Sequence, residues 1–117
     1  MAGYSAAALN AAVGATAALG TWISAHTADP GTTGANEVTG GTYARVQTTW
    51  GSPSGGASTG SQTSINIPAG TTVTYFGVWS TQSGGTWVTG GALSASETFA
   101  SAGVLAVTPT QTGITNP

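Results

Sequence analysis

The segment Thr72-Val73-Thr74-Tyr75-Phe76-Gly77-Val78-Trp79-Ser80 puts Val73, Tyr75, Gly77 and Trp79 on one face of a β-strand and Thr74, Phe76 and Val78 on the other. Both faces are apolar, which predicts a central strand sandwiched between two layers. β-branched and aromatic side chains suit such a pleated surface. Just downstream, Ser83-Gly84-Gly85 supplies a hairpin turn into a further strand over 86–93.

Upstream, Trp22, Ser24 and His26 alternate with Ile23, Ala25 and Thr27, and Asp29-Pro30-Gly31 ends the run. Residues 31–41 carry four glycines and Asn36 and read as a surface loop. A strand is predicted over 43–50, broken by Gly51-Ser52-Pro53-Ser54-Gly55-Gly56, and another over 62–67, bounded by Pro68-Ala69-Gly70. Segments 97–99 and 104–107 complete the set. About six short strands separated by turn signals predict an all-β fold, a compact β-sandwich of jelly-roll or Ig-like type.

A short N-terminal Ala-rich helix precedes the sandwich. Ser5 can cap it, Leu9 and Val13 share a face, and Gly20 can adopt the left-handed conformation past its end. Gly14 weakens the interior by about 1 kcal/mol, so the helix needs a surface to dock on. The expected organisation is a single domain over 1–117: helix about 5–19, sandwich about 21–108, polar tail about 109–117. Val-Thr-Gly-Gly occurs at 38–41 and 88–91, which we read as turn chemistry rather than duplication.

Composition narrows the function. The 117 residues include one Lys or Arg, three Asp or Glu, one His, no Cys and nineteen Gly, and 3% of them are charged against about 25% in ordinary domains. The formal charge of −2 comes from Asp29, Glu37, Arg45 and Glu97, so no basic patch exists for nucleic acid phosphates or anionic lipid. Without cysteine there are no disulfides, thiolate metal sites or thiol nucleophiles. The apolar stretch 6–19 lacks preceding basic residues and is interrupted by Asn10, Gly14 and Thr16, which fits neither a signal peptide nor a membrane span. We read a soluble protein made inside the cell. Low net charge and four Trp argue against disorder.

Few groups are left for chemistry: His26, Asp29, Glu37, Arg45 and Glu97. His26 and Asp29 could be sketched with Ser24 or Thr27 as a nucleophile, base and orienter, but the abundance of hydroxyls empties that coincidence of weight. We assign His26, Asp29, Pro30 and Gly31 to the turn, with Asp29 forming an Asx turn ahead of Pro30. No ligand set for zinc or an EF-hand is present, and Asn36 with Glu37 is the only place to look for backbone-bound calcium. No catalytic, metal or cofactor site is expected. Arg45 could pair with Glu37 or Glu97 and reads as a structural or interface group. Trp79 reads as core, whereas Trp50 and Trp87 beside glycine-rich turns could be exposed, as interface anchors or as platforms for sugar rings.

The series from Trp22 through His26-Thr27-Ala28-Asp29-Pro30-Gly31, then Gly34-Ala35-Asn36-Glu37-Val38, Tyr43-Ala44-Arg45, Ile67-Pro68-Ala69-Gly70 and Phe76-Gly77-Val78-Trp79 resembles a family of small virion proteins of tailed bacteriophages, especially actinobacterial ones, often labelled minor tail or tail fibre proteins. The likeness covers most of residues 4–107, and the tail after Thr108 has no counterpart in it. The resemblance implies a non-enzymatic, virion-located structural protein, assembled in the host cytoplasm. Its expected role is tail-associated, with capsid decoration and host-glycan binding through exposed Trp as alternatives. Expected partners are copies of itself, a trimer among the options, other virion proteins and a host surface glycan, with no nucleic acid and no membrane. Isolated β proteins guard their edges with Lys and keep net charge off zero. This chain has no Lys and one Arg, so its edges and polar surface are expected to be covered by sister subunits.

Overall fold

Thr71–Trp79 is hydrogen-bonded on both sides, antiparallel to Trp22–His26 along one edge and to Trp87–Phe99 along the other. The computed structural model describes residues 3–112. In chain order its elements are α1 (Ala6–Ala17), β1 (Trp22–His26), β2 (Val46–Gln47), β3 (Ala57–Thr59), β4 (Thr63–Ile67), β5 (Thr71–Trp79), β6 (Trp87–Phe99), β7 (Gly103–Val107) and β8 (Thr110–Thr112). A four-stranded sheet runs β2-β1-β5-β6, and β4–β7 and β3–β8 form two further antiparallel pairs. The fold is an all-β sandwich with one short N-terminal helix.

Register explains the core. Ile23 lies opposite Val78 and Ala25 opposite Phe76, so these four share one face of the large sheet. They cluster with Ile65 and Ile67 of β4 and with Leu105 and Val107 of β7. Alternation along β4 buries Thr63, Ile65 and Ile67 and exposes Ser64 and Asn66. Each buried Ile contributes about 1.5–3 kcal/mol. Val73 joins this cluster, although simple alternation puts it with Gly77 and Trp79. The β5–β6 register shifts between Val73 and Tyr75, and strict alternation does not carry across that irregularity.

The helix is capped as expected, with Ser5 Oγ accepting from the Ala8 amide at 3.1 Å. It docks through Val13 and Ala17, and Asn10 Oδ1 accepts from the Gly56 amide at 2.8 Å. It ends earlier than expected, at Ala18 in a right-handed conformation, and Gly20 is not left-handed. Gly20 serves close approach instead: its carbonyl accepts from Trp50 Nε1 at 2.8 Å, and a Cβ there would strike the Trp79 carbonyl.

Other boundaries moved for tertiary reasons. The strand expected over 43–50 shrinks to Val46–Gln47, because Tyr43 and Arg45 turn to Glu37 and Thr48 Oγ1 donates to the Ser61 carbonyl. The predicted strands at 86–93 and 97–99 are one strand of 13 residues. Two strands were not anticipated, Ala57–Thr59 and Thr110–Thr112, which pair with each other. The expected polar tail therefore begins as sheet, with Gln111 buried; residues 113–117 of that tail lie outside the described residues. Val-Thr-Gly-Gly is a turn at its first occurrence, with Gly40 and Gly41 at positive φ, and part of β6 at its second.

Candidate functional site

The face of the large sheet opposite the apolar core carries the polar chemistry. Because Ser24 stands opposite Gly77 and His26 opposite Tyr75, alternation points Ser24, His26 and Trp79 away from the Ile23 cluster. His26 and Ser24 are fully buried. His26 Nδ1 lies 2.8 Å from the Ala35 carbonyl oxygen, which can only accept, so Nδ1 bears the proton. Nε2 therefore accepts from Ser24 Oγ at 2.7 Å, and Ser24 Oγ in turn accepts from Trp79 Nε1 at 3.0 Å. The chain of donors fixes one tautomer of a neutral imidazole. Burial lowers the His26 pKa below its ordinary value, against the opposing pull of the Ala35 carbonyl and Glu37.

Three more groups lock onto the same region. His26 forms an isolated bridge with Glu37, which brings the 31–41 loop back to the sheet. The Glu37 carboxylate then accepts from Arg45 Nε and Nη2, both at 2.8 Å, and from the Tyr43 hydroxyl at 2.7 Å. Arg45 Nη1 donates to the carbonyls of Thr81 at 3.0 Å and Gly84 at 2.8 Å, tying down the loop between β5 and β6. The guanidinium carbon sits 3.8 Å from the Trp79 ring centroid. Burial pushes the Glu37 carboxyl up, but the bonds from Arg45 and Tyr43 outweigh it and hold its pKa below the usual value. Burial, reinforced by the bond to Glu37, pushes the Tyr43 phenol well above its ordinary range.

Trp87 closes this cluster edge-on, with ring centroids 5.5 Å from His26 and 5.3 Å from Trp79. Glycine makes the room. A Cβ at Gly34 would run into the Trp79 and Trp87 rings, and one at Gly77 into Trp87, Ser24 Oγ and His26 Nε2. A family model described as podophage GP4 fiber I protein gp80 matches residues 4–115. The chain belongs to that family. The match extends past Thr108, so the end of the chain is not without a counterpart, as the sequence resemblance had implied. Comparison with curated proteins gives no match.

In this gp80-family chain three of the five His, Asp, Glu and Arg side chains, His26, Glu37 and Arg45, meet in one buried polar cluster. Arg45 selects Glu37; Glu97 stands opposite Val73 in the β5–β6 ladder and is exposed. Asp29 is also exposed: its Oδ1 accepts from the Gly31 amide at 2.8 Å, and its carbonyl accepts from Asn36 Nδ2. Pro30 is buried, and its carbonyl accepts from the Gly34 and Ala35 amides. His26 acts on this turn through Ala35 rather than through Asp29. The Ser24–His26 pair has the chemistry of a nucleophile and base, but neither is accessible to a substrate in this conformation.

Both Glu37 oxygens are engaged by Arg45 and Tyr43, and among the described residues no group of three or more His, Asp and Glu could hold a metal ion. Trp50 and Trp87 are both half-buried rather than free; Trp50 packs against the core cluster. Among the described residues no helix is long and apolar enough to cross a membrane. Tyr43, Trp79, Gly34 and Gly77 complete the cluster without having been assigned to it from sequence. Tyr43 and Arg45 stand two apart, so they leave an extended chain on one side, and that spacing was the available signal. A shallow depression of about 300 Å³ outside the cluster is lined by Asp29, Pro30, Thr32, Tyr75, Trp87 and neighbouring glycines.

Proposed function

We propose that this chain is a structural subunit of a phage tail fibre, held in the particle by contacts with copies of itself and with other virion proteins. The observation that carries this reading is the family match over residues 4–115. The cluster gives it a physical mechanism. The only side-chain cation is consumed internally, bracing the 31–41 loop and the 80–86 loop to the sheet, and the surface left for contact is rich in Thr, Ser and Gly. Rigid, weakly charged surfaces of this kind suit close packing among subunits, where an unpaired charge would be expensive to desolvate. Labelling the protein on intact virions and imaging them tests the placement. Label on tail fibres is the expected result; label confined to heads would replace this reading with capsid decoration, in which the shell gains stability because the protein binds only its assembled form.

Glycan binding is the second reading, and one feature favours it. The depression beside Trp87 and Tyr75 combines aromatic surface with the exposed Asp29 carboxylate, the pairing that takes a sugar's apolar face and its hydroxyls. Trp50 has no share in it. Binding of the purified protein to host surface glycans should be abolished by Tyr75→Ala with assembly intact. Absence of binding by the unmodified protein at high concentration would remove this reading.

A further inference from the structure

Once the internal pairings are made, three of the polar groups left open line one depression. Arg45 is paired with Glu37, and His26 is buried with both ring nitrogens bonded. Asp29 and Glu97 are therefore the charged side chains left without a counterion among the described residues. Asp29 lines the depression of about 300 Å³ together with Tyr75 and Trp87. Its Oδ1 accepts from the Gly31 amide at 2.8 Å, and its Oδ2 makes no hydrogen bond among the described residues. The Tyr75 hydroxyl and Trp87 Nε1 make none either, whereas the indole N–H groups of Trp50 and Trp79 are satisfied within the fold.

The surroundings hold these groups in place. Trp87 packs the rim of its six-membered ring, Cε3, Cζ3, Cη2 and Cζ2, over Gly34, Gly77 and Gly90, whose missing Cβ atoms make that approach possible. That leaves the pyrrole edge, with Nε1, for the depression. Tyr75 stands on the same face of β5 as Gly77. Asp29 sits on a turn tied down at several points: its carbonyl accepts from Asn36 Nδ2 at 3.0 Å, the Pro30 carbonyl accepts from the Gly34 and Ala35 amides, and His26 Nδ1 donates to the Ala35 carbonyl. A carboxylate positioned in this way needs little ordering when a ligand arrives.

We infer that this depression selects a sugar carrying a free amine, a glucosamine-type residue, with its ammonium on Asp29 Oδ2, its carbon skeleton against Tyr75 and its hydroxyls on the Tyr75 hydroxyl and Trp87 Nε1. The inference rests on the glycan reading proposed above and adds the class of sugar. Charge complementarity chooses that class. The lining holds one carboxylate and no cationic group, so acidic, sulfated or phosphorylated sugars meet a like charge with nothing to offset it. An ammonium meets the opposite charge beside two aromatic side chains, the surroundings that attract cations. An acetylated amine has lost its charge and gains nothing from the carboxylate beyond a hydrogen bond. The volume lies at the small end of ligand sites, which fits one sugar residue of a chain.

Asp29→Asn isolates the charge, because the side-chain oxygen of Asn still accepts from the Gly31 amide and preserves the turn. The purified full chain is titrated below neutral pH with a glucosamine tetramer and, separately, with its fully N-acetylated counterpart, followed by calorimetry and by the NMR signal of the Trp87 indole N–H. The glucosamine tetramer should bind about tenfold or more tighter than the acetylated one, and Asp29→Asn should remove that advantage while leaving the acetylated tetramer's affinity and the melting temperature unchanged. Added salt should weaken the glucosamine tetramer selectively. If the acetylated tetramer binds equally well, if another surface glycan binds and neither tetramer does, or if Asp29→Asn leaves glucosamine binding intact, the amino sugar is wrong while the glycan reading stands. If no surface glycan binds the unmodified chain at high concentration, both are wrong. A lysine tripeptide that displaces the glucosamine tetramer at equal concentration would show that the ammonium alone is read, which also overturns the choice of a sugar.

Discussion

Replacing Arg45 by Met keeps an aliphatic stem over Trp79 and removes every donor of the guanidinium. In the folded chain that group makes two bonds to Glu37 and two to backbone carbonyls, with side chains 8% exposed at Arg45 and 20% at Glu37. The variant leaves a largely buried carboxylate held by Tyr43 alone and two carbonyls without that partner. Removing one member of a buried pair costs about 3–5 kcal/mol. At about 4 °C per kcal/mol for a chain of this size, the melting temperature falls by roughly 12–20 °C. Arg45→Lys should recover only part of the loss, since a point charge cannot reproduce the fork. Urea unfolding followed by Trp fluorescence measures both.

The pH dependence of this penalty identifies its cause. In the parent chain the folded-state pKa of Glu37 is depressed, so its contribution is present above the unfolded value and lost as pH falls through the folded one. In the variant burial is still opposed by the Tyr43 bond but no longer by Arg45, so that pKa moves up, and the carboxyl takes up a proton more readily on mild acidification and sheds its desolvation penalty. The gap between parent and variant should therefore shrink from pH 7 to pH 4. A loss below about 1 kcal/mol, the value of an exposed ion pair, or a gap that does not change with pH, would refute the assignment of Arg45 and Glu37 as a buried brace.

Three further outcomes are expected. His26 is buried neutral with a lowered folded-state pKa, so its stabilisation is complete above the unfolded value of about 6.5 and declines as pH falls below it; His26→Gln should flatten the stability slope below that pH in denaturant titrations. Gly77→Ala would push a methyl into Trp87, Ser24 and His26, and about 1–3 kcal/mol of overpacking should appear in thermal melts together with a changed near-UV Trp signal. Ile65→Ala, at a fully buried contact between the two layers, should cost about 2–5 kcal/mol in urea titrations while leaving the pH slope intact, because it lies across the sheet from His26.

The alternation of Trp22, Ser24 and His26 against Ile23, Ala25 and Thr27, and the glycine and proline punctuation after each run, were enough to specify an all-β chain with a capped N-terminal helix. Period and turn chemistry are local properties, so residues within a few positions determine them. The low count of acidic and basic residues restricted the charged or imidazole members of any polar cluster to His26, Glu37, Arg45, Asp29 and Glu97 before any geometry was known. Selection among them was a tertiary event. Arg45 could reach Glu37 only because the bridge from His26 to Glu37 carried a loop back onto the sheet, and Glu97 was withdrawn by its place in β6.

The two Val-Thr-Gly-Gly segments show where local information ends. At 38–41 the glycines take positive φ in a turn, while at 88–91 they lie flat in β6, where Gly91 stands opposite Phe76 and Gly90 opposite Gly77. The tetrapeptide is identical, so the difference is made by the strand alongside. The same holds for β3 and β8, which become strands because they meet each other, and for Gln111, whose burial no neighbouring residue foretells. By itself the sequence determined the period of its strands, its turns, its capped helix and the scarcity of its charge. Only the tertiary structure decided which carboxylate holds the arginine, which hydroxyl holds the imidazole and which edge is left open, because those contacts join residues far apart in the chain.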